Sequence, residues 1–262
     1  MAKKLANEGF NICIISRTES KINEKLDEIR KECRSGDESF KTLAVVADFS
    51  KLLTIKDYQT AIGDKLKDVD VGVLVLCAGY VFFGPYKDLT GDEVERHITT
   101  NILHVAYTTK VLVNQLVQRF DSKGKKSALV VISSILSSRQ MSGVMSYCAS
   151  KVFATYFAMG LNPELRNKVD VIAYEPGGIA TKMMGMSEPS GPYIAPEEAA
   201  NQPFRDIGML QMTRGVFIHE IIAWFMSLPP LGLLQRASLY GTTQEFNKAR
   251  AEQAERAKAK AT

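Results

Sequence analysis

The apolar residues of this chain follow two alternating patterns. Short, nearly unbroken apolar runs lie at 10–16 (FNICIIS), 42–49 (TLAVVADF), 71–79 (VGVLVLCAG), 127–134 (SALVVISS) and 169–178 (VDVIAYEPGG). A strand packed on one face alternates apolar and polar residues, whereas one packed on both faces does not. These runs therefore predict strands covered on both sides. Between them the spacing lengthens to that of a helix: Ile22, Leu26 and Ile29 share one face of a helix expected over 20–31. Further helices are expected around 55–67, within 93–119 and over 145–165, and Pro196 stands at the favoured first position of a short one. Alternating strands and helices build a parallel, doubly wound α/β sheet, whose ligands bind at the carboxyl ends of the strands. No internal repeat or linker interrupts the chain before 241, so residues 1–241 read as one domain. Residues 242–262, rich in Ala, Lys, Glu and Arg, read as a basic tail, either a solvated helix or disordered.

The pattern starts midway through a unit. Ala2 to Glu8 reads as the last turns of a helix, Gly9 as its stop, and 10–16 as the strand it feeds. A helix leading straight into such a strand is the second half of a βαβ unit. The sheet is therefore expected to lack its usual first strand.

A chain of 262 residues, 45% hydrophobic and 24% charged, is long enough for a full core. Much of the formal charge of +4 gathers near the ends, at Lys3, Lys4, Lys248, Arg250, Arg256, Lys258 and Lys260. No aromatic residues interleave with it, which argues against a nucleic-acid partner. Cys13, Cys33, Cys77 and Cys148 lack metal-ligand spacing and read as reduced thiols in the cytosol, so no metal is expected. The first ten residues hold no apolar core of a signal peptide. The apolar stretch 221–234 (IIAWFMSLPPLGLL) is 14 residues long and broken by Pro229 and Pro230, whereas a spanning helix needs about 20. It reads either as a C-terminal helix and turn packed on the domain or as a segment lying on a membrane surface.

The candidate chemistry falls at the carboxyl ends of the predicted strands. Tyr147 and Lys151 stand four apart on the helix over 145–165, so both side chains share a face. A free phenol has a pKa of about 10. A nearby ammonium stabilises the phenolate and lowers that value, which makes the pair a proton donor to a carbonyl oxygen or an acceptor from an alcohol. Ser134 ends the fourth run, where its hydroxyl can reach the phenol and hydrogen-bond an oxygen on which charge develops. Asn101 reads either as a polar residue on a helix surface or as a buried amide holding water in a proton path. At the end of the fifth run, after Pro176, the glycines Gly177 and Gly178 let backbone approach a ligand closely, with Thr181 beyond.

Together Asn101, Ser134, Tyr147 and Lys151, with CAG at 77–79 and PGGIAT at 176–181, resemble the short-chain dehydrogenase/reductases over nearly the whole chain. The resemblance implies a Rossmann-like fold and hydride transfer from a nicotinamide cofactor. It implies that Tyr147 is the acid/base, that Lys151 lowers its pKa and binds the nicotinamide ribose, that Ser134 polarises the carbonyl, and that Asn101 supports a water relay. It also implies cofactor contacts from Ala78, Gly79, Pro176, Gly177 and Thr181, and an adenine contact from Asp48. NAD enzymes usually place an acid after the second strand to hold the ribose hydroxyl. Ser16 and Arg17 stand there instead, and a guanidinium suits a 2′-phosphate, which favours NADPH. The segments GFNICIISRTESKI and FRDIGMLQMTRGVFIHEIIAWFMSLPP look like the endoplasmic-reticulum branch that contains very-long-chain 3-oxoacyl-CoA reductases and 17-beta-hydroxysteroid dehydrogenases. That implies a lipid substrate, a 3-oxoacyl-CoA or a steroid ketone, at the cytosolic face of the endoplasmic reticulum membrane, and leaves a homodimer open. The terminal KAKAT resembles a di-lysine retrieval signal and reads equally as a basic helix end. The methionines of the loop 182–195 suit either a long apolar chain or ordinary packing.

The family's glycine turn, T-G-x-x-x-G-x-G, is formed by none of the 18 glycines. Such glycines let a helix N-terminus meet a pyrophosphate. The family's first strand would lie between 10–16 and 71–77, so those two strands are expected to pair abnormally or leave their edges unpaired. LCAG also stands in place of NNAG, which removes an amide that orders the loop beside the cofactor. The chain is therefore expected to hold the cofactor weakly, and a catalytically silent binding or scaffold protein is the alternative to a working reductase.

Overall fold

Parallel strands carry the fold in two sheets. β1 (Ile12–Ser16) pairs with β2 (Thr42–Val46), while β3 (Val73–Leu76), β4 (Ser127–Ile132), β5 (Val169–Tyr174) and the short β6 (Met212–Thr213) follow one another in the second sheet. The computed structural model describes residues 1–181, 188–228 and 230–261, the stretch 253–261 by its backbone alone. Register is unbroken where strands meet: Val75, Val130 and Ile172 lie side by side across β3, β4 and β5.

Helices cover both faces, as the unbroken apolar runs require. One face packs on α3 (Ile55–Tyr58), the π-helical turn after it and α4 (Asp64–Leu66), on α6 (His104–Lys123) and on α7 (Met145–Leu165), around Leu66, Leu74, Leu76, Leu112, Leu129 and Val171. The other packs on α1 (Ala2–Asn7) and α2 (Glu19–Cys33) beside β1, and on α8 (Pro196–Asp206) beside β5. The two sheets share the first of these cores, because Val45 and Ala47 from the end of β2 join it.

Between the sheets, β1 and β3 are not paired: among the described residues β1 bonds only β2, and β3 only β4. The strands flank one slot. Phe10, before β1, packs on Gly72, before β3, and their far ends line a common cavity. The expected unpaired edges are thus present, and α1 lies across the break. Leu5 and Ala6 pack with Ile12, Ile22 and Leu26, while Met1 reaches Val75, Val130 and Ile172 of the second sheet.

At the C-terminal end, α9 (Phe217–Ser227) and α10 (Leu231–Ala261) divide the apolar stretch 221–234 between them. α10 passes position 241 without a break, so the basic tail continues a helix that begins in the domain. Phe246 is buried against Gly84, where a Cβ would come within 2.4 Å of its ring, and Arg250 pairs with Glu93 at 2.7 Å. The side chains of Lys258 and Lys260 and residues 182–187 lie outside the described residues.

Candidate active site

Tyr147 lies in the first turn of α7, and Ser134 at the carboxyl end of β4 caps a 3-10 turn over Ile135–Ser138, its Oγ accepting from the Leu136 N–H at 3.2 Å. The strand end, the turn and the helix entry bring the two together, close enough for the Ser134 side chain to favour the phenolate. Lys151, one turn on, is buried; its Nζ donates to the Ile132 carbonyl at 3.0 Å and stands 5.5 Å from the centre of the Tyr147 ring. Burial pushes the Lys151 ammonium down to about 8. Burial also raises the Tyr147 phenol, with the Ser134 side chain acting the other way. The sequence expectation was a phenol lowered by Lys151. The difference arises because the ammonium meets the ring face rather than the hydroxyl, while the surroundings penalise the phenolate.

Asn101 sits in a π-helical turn, Ile98–Leu103, between α5 (Gly91–His97) and α6. Such turns turn a side chain out of the regular helical phase. Its Oδ1 accepts from the Tyr80 N–H at 2.7 Å, and its Nδ2 donates to the Tyr80 carbonyl at 2.8 Å and to Ser150 Oγ at 3.0 Å. The amide is buried, as in the second sequence reading, and its Nδ2 donors and one acceptor position of its Oδ1 bond protein groups. One turn earlier His97 Nε2 accepts from the Phe82 N–H at 3.2 Å. Together they order the loop after β3, the task that the missing amide of LCAG left open.

The other predicted residues fall into two groups. Ser16, Arg17, Asp48, Ala78 and Gly79 line one cavity of about 250 Å³ at the ends of β1, β2 and β3. Burial acts to raise the Asp48 carboxyl, but hydrogen bonds from Ser50 and the nearby Lys51 and Arg17 leave it lowered overall. Gly79 joins this cavity to the tyrosine, since a Cβ there would stand 3.6 Å from Lys151 Nζ. Pro176 and Gly177 leave β5 beside the serine turn, the Pro176 carbonyl accepting from the Ile135 N–H at 3.0 Å. Thr181 lies beyond, and among the described residues no hydrogen bond ties its side chain to the rest of the site.

Three supporting residues carry no local signature. Glu175 is buried, accepts from Thr155 Oγ1 at 2.7 Å and from the Ser137 hydroxyl, and faces Arg214 at 3.3 Å. It ties the serine turn, α7 and the strand end together. His219 of α9 is fully buried under the glycines; its Nδ1 accepts from the Gly177 N–H at 3.0 Å, and a Cβ on Gly177 would come within 2.5 Å of its ring. Arg96 of α5 joins Arg17 on the rim of the smaller cavity. A larger cleft of about 870 Å³ is lined by Ser137 and Ser138 of the serine turn and by Phe82 and Pro85 of the loop after β3. Met145, Ala149, Val152 and Tyr156 face it from α7, on the side away from Tyr147 and Lys151 at about 100° per residue.

Residues 1–190 match the family model for short chain dehydrogenases. Among curated relatives, the very-long-chain 3-oxoacyl-CoA reductase of Anas platyrhynchos is 29% identical over 87% of this chain and 71% of its own length. Reductase-B of that name from Danio rerio is 30% identical over 90% and 73%, and putative steroid dehydrogenase 3 of Caenorhabditis elegans is 29% identical over 87% and 70%. Of solved structures, a 7beta-hydroxysteroid dehydrogenase superposes with a TM-score of 0.75 over 90% of both chains at 20% identity. A short-chain dehydrogenase from Sphingobium yanoikuyae in complex with NADPH gives 0.64 over 78% and 77%, at 23% identity. The family match along the chain and the shared fold agree: this protein is a member of the short-chain dehydrogenase family, in the branch of the very-long-chain 3-oxoacyl-CoA reductases, and an oxidoreductase.

Proposed function

We propose that the protein is an NADPH-dependent carbonyl reductase acting on a lipid ketone such as a 3-oxoacyl-CoA. The observation that carries this reading is the convergence of Ser134, Tyr147 and Lys151 at the carboxyl ends of β4 and β5, beside a cavity rimmed by Arg17 and Arg96. These groups suit a nicotinamide dinucleotide at both ends. Lys151, with donors to spare beyond its one bond to Ile132, suits ribose hydroxyls. The two guanidiniums suit a phosphate on the adenosine side.

When bound, the cofactor supplies the hydride; the remaining work belongs to the protein. Ser134 hydrogen-bonds the substrate oxygen and holds it beside Tyr147. The Tyr147 hydroxyl gives its proton to that oxygen as negative charge develops there. A phenol raised by burial stays protonated until that moment, which suits reduction. The buried Lys151 cation, standing over the ring face, offsets only part of the charge left on the phenolate. It carries its charge below about pH 8 and loses it above. The rate of reduction is therefore expected to fall as pH rises through about 8. A profile flat across that range would remove Lys151 from this role.

Arg17 decides cofactor choice in this reading. Arg17→Asp places a carboxylate where the 2′-phosphate would lie, and should weaken or reverse the preference for NADPH over NADH. An unchanged ratio of kcat/KM for the two cofactors would show that Arg17 does not meet the phosphate.

The reading extends to location, at the cytosolic face of the endoplasmic reticulum membrane. No single described helix is long and apolar enough to cross a membrane, and α9 with α10 is bent by 111° at their junction. Phe217, Trp224, Phe225, Leu228 and Leu233 are exposed on this pair, a composition suited to lying in a lipid interface. Replacing Trp224 and Phe225 by serine should release the protein from phosphatidylcholine/phosphatidylserine vesicles in a flotation assay. Equal flotation of variant and parent would exclude this face as the contact.

A further inference from the structure

One face of α10 is part clasp and part wall. Gln235, Leu239, Thr242, Phe246 and Arg250 recur at helical spacing and so share that face. Its later turns are docked. Phe246 seats on Gly84 and Thr242 on Gly143, and a Cβ on either glycine would overlap the helix. The two seats are joined, the Gly84 N–H donating to the Gly143 carbonyl at 2.7 Å. Ser238 Oγ donates to the Ser142 carbonyl at 2.7 Å, and Arg250 pairs with Glu93 and lies over the Phe82 ring. α10 thus clasps the loop after β3 to the segment that leads into Tyr147. One turn before Thr242 the same face opens onto the cleft of about 870 Å³: Gln235 and Leu239 line it, and Leu239 is 41% exposed although it shares a face with the buried Phe246. The cleft runs from this wall to the reacting groups. Ser137 and Ser138 line it just after Ser134, and Val144 and Ser146 line it where α7 begins, beside Tyr147. From there Met145, Val152 and Tyr156 carry it along α7 for about 16 Å, at 1.5 Å per residue. Met145 and Tyr156 are 51% and 73% exposed, so a long apolar face is turned to the cleft. Arg139, also in the lining, donates to the Met226 and Ser227 carbonyls at 2.8 and 2.5 Å, which sets the cleft beside the apolar bend between α9 and α10.

We propose that the cleft between α7 and α10 holds the acyl chain of the substrate, and that Leu239 is a specificity-determining residue, held against that chain by the seats of Thr242 and Phe246. The inference deepens the reductase reading above and rests on it. The cleft has the size of a ligand site, a polar end at the serine turn and apolar walls beyond. That is the order of groups in a long-chain ketone, whose oxygen meets Ser134 and Tyr147 while its tail runs outward between Tyr156 and Leu239. Each further methylene that enters the cleft leaves water, so long chains should be reduced in preference to short ones. The apolar bend of α9 and α10 at the cleft's edge suits a tail drawn from a lipid surface.

The test compares 3-oxostearoyl-CoA with acetoacetyl-CoA, each reduced by the full protein with NADPH. The parent should favour the long chain in kcat/KM. Leu239→Trp, at an exposed position where a larger ring leaves the core undisturbed, should fill the cleft. It should lower the long-to-short ratio of kcat/KM about tenfold or more while NADPH binds as in the parent. Phe246→Ala should loosen the wall and raise KM for the long chain more than for the short one. A Leu239→Trp enzyme with the parent's ratio overturns the proposal. An equal loss for both chain lengths does so too, since α10 would then be a brace of the fold. If Leu239→Trp instead turns a dimer into a monomer by light scattering, with selectivity unchanged, the cleft is a contact between copies of this chain and the proposal falls. Photolabelling gives a readout independent of turnover. Stearoyl-CoA carrying a diazirine at its chain end, irradiated with the parent, should label residues within 145–156 or 231–250, and label confined to other peptides refutes the cleft. Label at those residues in a protein that reduces neither ketone would uphold the cleft and remove the reductase reading instead.

Discussion

Tyr147→Phe should abolish carbonyl reduction while leaving the fold and NADPH binding largely intact. The substitution removes one oxygen and keeps the ring that stands over Lys151. What it deletes is the proton donor beside Ser134. General acid catalysis is typically worth 10²–10⁴ in rate, so the expected loss is of that order. Because the hydroxyl acts on the developing charge of the transition state, the loss should appear in kcat, with KM for the ketone changed little. Retention of more than about a tenth of the parental rate would rule out Tyr147 as the acid.

The largest stability effect should come from Glu175→Ala. Glu175 is 2% exposed and receives the Thr155 and Ser137 hydroxyls while facing Arg214. Removing the carboxylate leaves the half-buried Ser137 hydroxyl without that acceptor and the buried Thr155 hydroxyl with Ser133 alone at 2.8 Å, and leaves Arg214 with Glu220 at 2.8 Å as its remaining ion pair among the described residues. Because Arg214 keeps Glu220, most of the cost comes from the hydroxyls that lose their acceptor, about 1–3 kcal/mol for each that is left buried and unpaired. Urea unfolding should report that loss, and Glu175→Gln, which keeps an acceptor for the hydroxyls, should lose less. Unchanged stability in the alanine variant would mean that the network contributes nothing. Catalysis should suffer in both variants, since the same carboxylate ties the turn bearing Ser134 to the strand bearing Pro176.

The sequence was most informative where structure depends on neighbours along the chain. The helix over 145–165 ends where the apolar period said it would, and the four-residue spacing does bring Tyr147 and Lys151 to one face. The apolar runs overstated the strands in a consistent way. Residues 77–79, 133–134 and 175–178 lie beyond β3, β4 and β5, although several are apolar. They form the carboxyl-end loops that carry Gly79, Ser134, Pro176 and Gly177, where small or rigid residues serve close approach rather than pairing.

Partners distant in sequence were not legible. The sequence left Asn101 open between a surface polar residue and a buried amide holding water, because nothing nearby in the chain reveals that Tyr80 and Ser150 bond its amide. The π-helical turn that aims it has no period of its own. Glu175 was visible only as the letter before PGG, and His219 only as one polar residue in an apolar helix. Their roles depend on Thr155, Arg214 and Gly177, brought near by the sheet. Position 241 looked like the end of a domain because the composition changes there. The docking of Phe246 on Gly84 lies in a contact between residues far apart in the chain.

The most direct test is to follow the hydride and the proton together in one turnover of the full protein. A long-chain 3-oxoacyl-CoA would be incubated with NADPH bearing deuterium at both C4 positions of the nicotinamide, and the product examined by mass spectrometry. The account predicts a 3-hydroxyacyl-CoA carrying the label at C3, formed by the parent and lost with Tyr147→Phe although that variant still binds NADPH. Product without the label, or labelled product formed equally fast by the variant, would contradict it.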